Sequence, residues 1–297
     1  MKKTVSNARV CVLAVNLWMA LFVLVSCEKV VQNEDNDRHV SDGNLIVNVF
    51  DIEHMPFSSI TTTRSAPAEA CTRINYAVYS TDGTRIKQIN QQVGDDSFGT
   101  AAFKLAEGDY YLAVVAHSSN GNPTMTDPNK IQFTNAQGYS DTFLCSGNIS
   151  IGDEPVDMSI SLNRIVALCR FVMTDDYPED VTQMKFYYTG GSGAFNSATG
   201  LGCVNSKQTM VFDVTDGQTQ FDLYTFLHDL EGTIHLTVTA LDDSDNVLNE
   251  RSFDVPLYQN HITWLTGAYF NGSSISASTI TGIDLNTSWA GEHHITF

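Results

Sequence analysis

The sequence predicts an all-β protein, and three features of the chain favour this fold class. Apolar and polar residues alternate with a period of two in many runs from Leu45 onward, which is the spacing of side chains on one face of a strand. Turn residues such as Thr81-Asp82-Gly83 separate these runs, because glycine accepts the positive φ of tight hairpins. The 3.6-residue periodicity of amphipathic helices is nearly absent. We therefore expect two β-sandwiches with Greek-key connections.

The first sandwich is predicted over residues 43–160. Its candidate first strand is Leu45–Glu53, in which Leu45, Val47 and Val49 share one face. Its last strand has the pattern Val156, Met158, Ile160 and Leu162. Further strands are predicted over 74–80, 84–91 and 110–116, and the polar stretch 118–141 is predicted as a surface excursion with room for a short helix.

The second sandwich is predicted over residues 161–297. Ile165–Met173 is apolar on both faces, which predicts a central strand. Other strands are predicted over 181–188, 221–226, 234–240, 247–255, 260–270 and 293–297, with a turn at Asp242–Asn246.

Residues 1–26 have the pattern of a lipoprotein signal peptide. Lys2, Lys3 and Arg9 precede an almost uniformly apolar run over 10–25, and Leu24-Val25-Ser26-Cys27 ends it. We expect cleavage before Cys27 and acylation of its thiol, palmitate included. The apolar run has about 16 residues, short of the ~20 that a spanning helix needs. An ordinary secretory signal and a short membrane anchor are the alternatives. Residues 27–42 are polar and predict a flexible tether.

The charge of the chain argues against nucleic-acid partners. The formal net charge is −18, and loss of the three basic residues before Cys27 would make it −21. Such a protein repels phosphate backbones. With 42% hydrophobic and 17% charged residues, the composition is that of a folded protein rather than a disordered one.

The sequence offers little chemistry for catalysis or metal binding. It has no nucleophile elbow, phosphate loop or zinc-binding His-Glu-x-x-His. His293 and His294 are adjacent, so in a strand they point to opposite faces. Asp242–Asn246 lacks the glycine of a calcium loop, and the carboxylates of 175–180 have no identifiable partner across a cleft. We expect no enzyme, no cofactor and no metal.

The cysteines leave the disulfide question open. Cys71, Cys145, Cys169 and Cys203 are widely spaced, and four cysteines allow three pairings. Cys169 alternates with apolar neighbours, which favours a small core residue over a bridge.

Three segments carry a resemblance to a known family. These are Gly108–Tyr111, Arg164–Ala167 and Val255–Gly267, the last with the order Pro-Leu, Asn, Thr, Gly. Together with the segment before Cys27, they resemble the fimbrial proteins of Bacteroidales: the FimB-like anchor and accessory lipoproteins and the related fimbrillins of type V pili. The resemblance implies two tandem transthyretin-like β-sandwiches, a location on the outer membrane or in a fimbrium, and a role in cell adhesion.

The resemblance also implies a mode of assembly. Cleavage after an arginine behind the first strand frees that strand, and the groove accepts a strand from another subunit. Here Arg64, in the stretch Thr61–Pro67 that we expect to be an exposed loop, is the candidate processing site. An ordinary loop arginine is the equal alternative. Ile295 and Phe297 mark a candidate donor or closing strand, for which an edge strand of its own domain is the alternative.

The expected partners are other fimbrial subunits, the outer membrane through the lipid, and a host or bacterial surface ligand. Two other classes stay open. One is a surface glycan-binding lipoprotein of a nutrient-uptake system, with Trp264, Trp289 or Tyr187-Tyr188 stacking on sugars. The other is a hydrolase with a site at the junction of the two sandwiches.

Overall fold

The structure is a computed structural model that describes residues 43–54, 63–65, 67–134, 138–214, 217–271, 279–280 and 289–297. These residues form 20 strands and one helix of four residues, which confirms the all-β fold class. The stretch Val40–Phe297 is one compact unit. The predicted signal peptide, Cys27 and the tether lie outside the described residues. Within the described ranges, no helix has the length and apolar character needed to cross a membrane.

The described residues of the first half form ten strands. In chain order these are β1 (Leu45–His54), β2 (Thr63–Ser65), helix α1 (Pro67–Ala70), β3 (Arg73–Ser80), β4 (Arg85–Gln92), β5 (Thr100–Phe103), β6 (Gly108–His117), β7 (Thr124–Asp127), β8 (Lys130–Gln132), β9 (Thr142–Ile151) and β10 (Val156–Arg164). Eight of them form one sheet in the order β2-β1-β10-β9-β6-β3-β4, with β5 also paired to β1.

This sheet packs around its own hydrophobic core. We call it the N-terminal core; its members include Leu45, Val47, Val49, Ile52, Ile74, Tyr76, Val78, Phe103, Leu112, Val114 and Leu162. The predicted alternation in β1, β6 and β10 is thereby confirmed. The β3–β4 hairpin is confirmed too, since the turn places Gly83 at a φ of 86°, where glycine has no steric penalty.

The stretch 118–141 differs from the expectation of a short helix. In its described part it forms β7 and β8, which join β13 (Ala194–Phe195) in a small sheet. The pairing of β8 with β13 connects segments about sixty residues apart in the chain, so local sequence carries no sign of it.

The second half forms two more sheets. Its remaining strands are β11 (Ala167–Met173), β12 (Gln183–Gly191), β14 (Ser206–Asp213), β15 (Gln220–Thr225), β16 (Glu231–Leu241), β17 (Val247–Tyr258), β18 (His261–Gly267), β19 (Thr279–Ile280) and β20 (Gly291–Thr296). The orders are β15-β11-β18-β20-β19 and β14-β12-β16-β17. The prediction that β11 is central is confirmed.

These two sheets enclose a second core rich in aromatic rings. The Phe171 ring lies 5.5 Å from Phe186, 5.9 Å from Tyr269 and 5.3 Å from Phe297, measured between ring centroids. We call this the C-terminal core; it also contains Cys169, Leu223, Leu236, Val255 and Ile295. Aromatic contacts at these spacings add to the stabilisation from burial alone.

A third cluster contains residues from both halves. This junction cluster includes Tyr79, Val115, Phe133, Leu144, Val166, Leu168, Phe195, Phe226, Ile262 and Trp289. The division into domains 43–160 and 161–297 stays a prediction. The boundary after Ile160 falls inside β10, which continues to Arg164 and pairs there with β9.

His117 lies at the end of β6 with no exposed surface. The Ser119 backbone N–H donates to its Nδ1 at 3.1 Å, so Nε2–H donates to Asn75 Oδ1 at 2.8 Å and the ring is neutral. Burial, with a smaller contribution from the nearby Arg73 guanidinium, lowers the pKa of His117 to about 4.

We expect His117 to make the protein sensitive to acid. The unfolded chain takes up this proton near pH 6.5 and the folded protein only near pH 4. Stability from the neutral ring is therefore complete above pH 6.5 and is lost as the pH falls to 4, by about 3 kcal/mol at most. Urea unfolding between pH 7 and 4 measures this loss. His117→Gln should flatten the dependence in that window; an unchanged slope would assign it to other groups.

Candidate strand-exchange site

The first strand is hydrogen-bonded along both edges. β10 pairs with β1 in parallel from Leu45↔Val156 to Glu53↔Asn163. On the other edge, β5 pairs with residues 45–48 and β2 with residues 52–54, both antiparallel. β1 is therefore an interior strand. Its removal would leave main-chain donors and acceptors unpaired on two flanking sides.

The side chains of β1 complete the N-terminal core. Leu45, Val47 and Ile52 have no exposed surface and Val49 has 6%. The sequence correctly predicts that Leu45, Val47 and Val49 share the buried face, but it does not predict the burial of Ile52. A bulge between Val49 and Asp51 shifts the alternation and leaves Phe50 67% exposed. At about 2 kcal/mol for each buried aliphatic side chain, the four contribute about 8 kcal/mol.

Asn48 fixes the register of β1 against both neighbours. Its Nδ2 donates to Asp157 Oδ1 of β10 at 2.8 Å, and its Oδ1 accepts from Thr100 Oγ1 of β5 at 2.9 Å. Because a slip of one residue would turn the apolar side chains out of the core, this asparagine and the core specify the same alignment.

Arg64 differs from its expected setting. Its backbone lies in β2, where it pairs with Glu53 of β1, and not in a loop. Thr61, Thr62 and Ala66 of that stretch lie outside the described residues, and Pro67 begins α1. A three-residue strand is hard to recognise from sequence because its partner, not its composition, defines it.

The last strand belongs to its own sheet. β20 pairs with β18 in parallel from His261↔Gly291 to Thr266↔Thr296, and β19 pairs with it over two residues. Ile295 is 4% exposed in the C-terminal core. Phe297 stacks on Phe171, and its carbonyl oxygen lies where a Cβ on Gly267 would sit. In this structure the strand lies between β18 and β19 and not at the edge of the sheet. Its role as a donor or closing strand stays a prediction.

The two histidines of β20 occupy different environments, as predicted. His293 stacks on Tyr258 at 4.3 Å, and His294 lies parallel to the Trp264 ring at 5.6 Å. Burial and the neighbouring His261 and His294 lower the pKa of His293. In the described part of the chain, no group of three or more His, Cys, Asp or Glu side chains is placed to hold a metal ion.

Two of the carboxylates singled out in the sequence, Asp175 and Asp242, have structural roles. Asp175 accepts the backbone N–H groups of Tyr269, Phe270 and Asn271 at 2.7, 2.7 and 2.9 Å. Burial raises the pKa of Asp175, but these hydrogen bonds outweigh it, so the net shift is downward. Asp242 accepts the N–H groups of Ser244 and Asn246 in the β16–β17 turn, which confirms a hairpin.

The four described cysteines are all free thiols. Cys169 has no exposed surface, which confirms its place in the core. Burial raises the pKa values of Cys71 and Cys169 to about 12, so both stay protonated and unreactive at neutral pH.

Most of the aromatic side chains considered for sugar stacking are structural. Trp289 is 6% exposed and Tyr188 2%. The half-buried Trp264 donates from Nε1 to Glu292 Oε2 at 3.0 Å. Only Tyr187 among the four is exposed, at 37%.

Two of the segments that carry the family resemblance meet in space. Arg164 Nη1 donates to Asn260 Oδ1 at 3.1 Å, and the Asn260 N–H donates to the Val166 carbonyl at 2.9 Å. Gln259 Nε2 lies 3.2 Å from the carbonyl oxygens of Ile165 and Gly200. The segments Arg164–Ala167 and Val255–Gly267 therefore contact each other. We call this contact the joint between β10 and the second half.

The fold and this site define an all-β protein whose first described strand is an interior strand of its sheet. The profile of a family of unknown function, DUF6562, matches residues 46–296, and the chain belongs to this family. No curated protein matches the chain.

Several solved structures are similar to it. A candidate cell adhesion protein from Bacteroides ovatus is 14% identical, with a TM-score of 0.47 over 82% of this chain and 97% of that one. A candidate adhesin from the same species is 16% identical, with a TM-score of 0.46 over 63% and 78%. The fimbrial anchor protein Mfa2 from Porphyromonas gingivalis is 10% identical, with a TM-score of 0.40 over 70% and 80%. Likenesses of this size do not assign a function.

Proposed function

We propose that this chain is a cell-surface lipoprotein subunit of a fimbria, in an anchor or accessory position. It is held at the outer membrane through Cys27, assembles with other subunits by strand exchange, and mediates adhesion. The observation that carries this proposal is the place of β1: it is the first strand of the fold, yet it lies inside a sheet with partners on both edges.

The proposal follows from what the loss of β1 would expose. β10 and β5 would present unpaired main-chain groups, and the N-terminal core would lose four aliphatic side chains. A slot of this kind is costly to leave open in water. A strand with apolar residues at alternate positions fills it, which is the geometry of strand addition between proteins.

Arg64 is the proposed control point of the exchange. Cleavage after it leaves β1 joined to Cys27 and detached in sequence from the rest of the fold. A cut subunit can then shed β1 with the lipid and join the filament, whereas an uncut subunit stays anchored. The pairing of Arg64 with Glu53 means that β2 must open before a protease can bind the chain.

We expect an Arg-specific protease to cut the folded protein after Arg64. Sequencing of the new N-terminus, which should begin at Ser65, checks this. Arg64→Lys keeps the charge but removes the Arg-specific bond, so it is the matched control and should stay whole at this site. Assembly of the protein while Arg64 remains uncut would overturn cleavage as the control point.

Electron microscopy of cells tests the function itself. Cells with the wild-type chain should carry filaments that contain it, and deletion of the chain should remove the filaments or detach them from the surface. Cys27→Ser should shift the protein from the membrane fraction to the soluble fraction. Unaltered, anchored filaments without this chain would contradict a fimbrial role.

The structure gives less support to the other two classes. The rings proposed for glycan stacking are largely buried. The carboxylate of Asp175, which was considered for hydrolysis, accepts hydrogen bonds from three backbone N–H groups. Neither set forms an accessible site among the described residues.

A further inference from the structure

An open polar cleft of about 690 Å³ lies between segments of both halves of the described fold. Its floor is the surface of β6 and β9 at Tyr111 and Asn148, which are cross-strand neighbours. Its other lining residues come from the β3–β4 turn with Asp82 and Gly83, from the β7–β8 turn, and from Ser197. The two turns adjoin, since a Cβ on Gly83 would lie 3.8 Å from Pro128 Cγ. A volume of this size is within the roughly 300–1,000 Å³ of small-molecule sites.

The lining residues combine rings, carboxylates and amides and include no lysine, arginine or histidine. Tyr110 and Tyr111 supply the aromatic surface, and Asp82, Asp109, Asn129 and Asn148 supply polar groups. Two carboxylates without a cation in the lining repel anions such as phosphates and acidic sugars. The set suits a neutral ligand with many hydroxyl groups and apolar C–H faces.

The two carboxylates are held in place and keep capacity for a ligand. Asp82 Oδ1 accepts from Ser80 Oγ at 2.5 Å and from the Thr84 N–H at 2.9 Å. Asp109 Oδ1 accepts from Ser150 Oγ at 2.6 Å. The described contact of Asp109 uses one oxygen, so the other can accept a hydroxyl proton. Asp82 also has a hydrogen bond with the Thr84 side chain, and with about four lone-pair sites an ionised carboxylate can still accept one more.

Tyr111 is fixed by a hydrogen bond with Ser197, another lining residue of the cleft. Ser197 Oγ lies 2.8 Å from the Pro128 carbonyl oxygen and 3.2 Å from the Tyr111 hydroxyl. The carbonyl can only accept, so Ser197 gives its proton to Pro128 and Tyr111 donates to Ser197. The ring is thereby held beside Asn148 without an induced change, which lowers the entropic cost of binding.

We propose that this cleft binds a neutral oligosaccharide, with a sugar ring against Tyr111 and hydroxyl groups on Asp82, Asp109 and Asn148. The site does not depend on strand exchange, because none of its lining residues lies in β1, β2 or β20. The subunit would then bind carbohydrate in this cleft, and not at Trp264, Trp289 or Tyr187-Tyr188, the aromatic residues singled out in the sequence.

Titration calorimetry of the purified protein with cello-, malto-, xylo- and manno-oligosaccharides tests the proposal, with oligogalacturonates as acidic probes. We expect saturable binding of at least one neutral series and no binding of the acidic one. The double variant Asp109→Asn, Asn148→Ala should weaken binding by about tenfold or more, and Ala198→Trp should block the cleft. Thermal unfolding of each variant confirms that it is folded.

Two matched controls separate the cleft from the rest of the surface. Asp153→Asn removes an exposed carboxylate from the β9–β10 turn, and Tyr187→Ala removes an exposed ring from β12. Both should bind like the wild type. Absence of binding to every neutral series at millimolar concentration, unaltered binding by the folded cleft variants, or tighter binding of the acidic probes would overturn the proposal.

Discussion

Removal of residues 288–297 is expected to unfold the C-terminal half of the protein. The deletion takes away β20, with Ile295 and Trp289 at 4% and 6% exposure and the Phe297 ring stacked on Phe171. At about 2 kcal/mol for each large apolar side chain, the loss is roughly 6 kcal/mol before the ladder with β18 is counted. This is comparable to the whole stability of a typical domain, about 5–15 kcal/mol.

Circular dichroism and the dispersion of amide NMR signals measure the outcome. Thr296→Ala, at an exposed position of the same strand, is the control and should fold normally. A deletion variant that folds as a stable monomer but cannot polymerise would show instead that β20 is a donor strand.

Gly267→Ala offers a milder test. Its added Cβ would lie 2.1 Å from the Phe297 carbonyl oxygen, so it should raise hydrogen exchange in β20 first.

Arg164→Ala is expected to destabilise the protein by about 2–3 kcal/mol, because it removes charge-assisted hydrogen bonds from an ion pair whose arginine is buried and whose Asp141 is 25% exposed. The Arg164 side chain is 2% exposed and binds Asp141 through two hydrogen bonds of 2.6 and 2.7 Å. Its guanidinium also lies 3.9 Å from the centre of the Trp289 ring, and it contacts Asn260. One substitution therefore leaves a carboxylate without its partner and loosens the joint between β10 and the second half.

Urea unfolding of the wild type and Arg164→Ala measures this difference. Arg164→Lys keeps the charge but cannot form the planar pair with Asp141 or stack on Trp289 in the same way, so we expect an intermediate loss. Arg85→Ala, at an exposed position of β4, should change stability by less than about 0.5 kcal/mol. Equal stability of Arg164→Ala and the wild type would show that the pair contributes nothing to this joint.

The sequence predicts best where one face of a strand is buried along its whole length. β10 alternates in this way along its whole length. In β6 and β16 the predicted face is buried, but the opposite face is buried too, from Ala113 and from Thr239 onward. The sequence predicts no strand at β14, because only Gln208 of its eight residues is buried. The sequence does not predict the burial of Ile52, because the bulge between Val49 and Asp51 interrupts the alternation of buried and exposed residues.

Long-range pairing is the other limit. β2, β7 and β8 have three or four residues each and exist because of partners elsewhere in the chain. For this reason the sequence predicts a loop at Arg64, where the structure has β2. The polar cleft is assembled from five separate segments, and no local pattern brings Asp82 to Asn148 or Ser197. By contrast, Arg164 and Asn260 belong to two separate segments of the family resemblance, and they are hydrogen-bonded in the structure.

Exchange of β1 in trans tests strand exchange most directly. The protein is cut after Arg64, mixed with an isotope-labelled peptide of residues 45–53, and analysed by native mass spectrometry. We predict that the cut protein releases its own β1 segment and takes up the peptide. Uncut Arg64→Lys protein and a peptide carrying Val47→Asp should show no exchange. A cut protein that stays folded but never accepts the labelled strand would contradict assembly through the slot between β10 and β5.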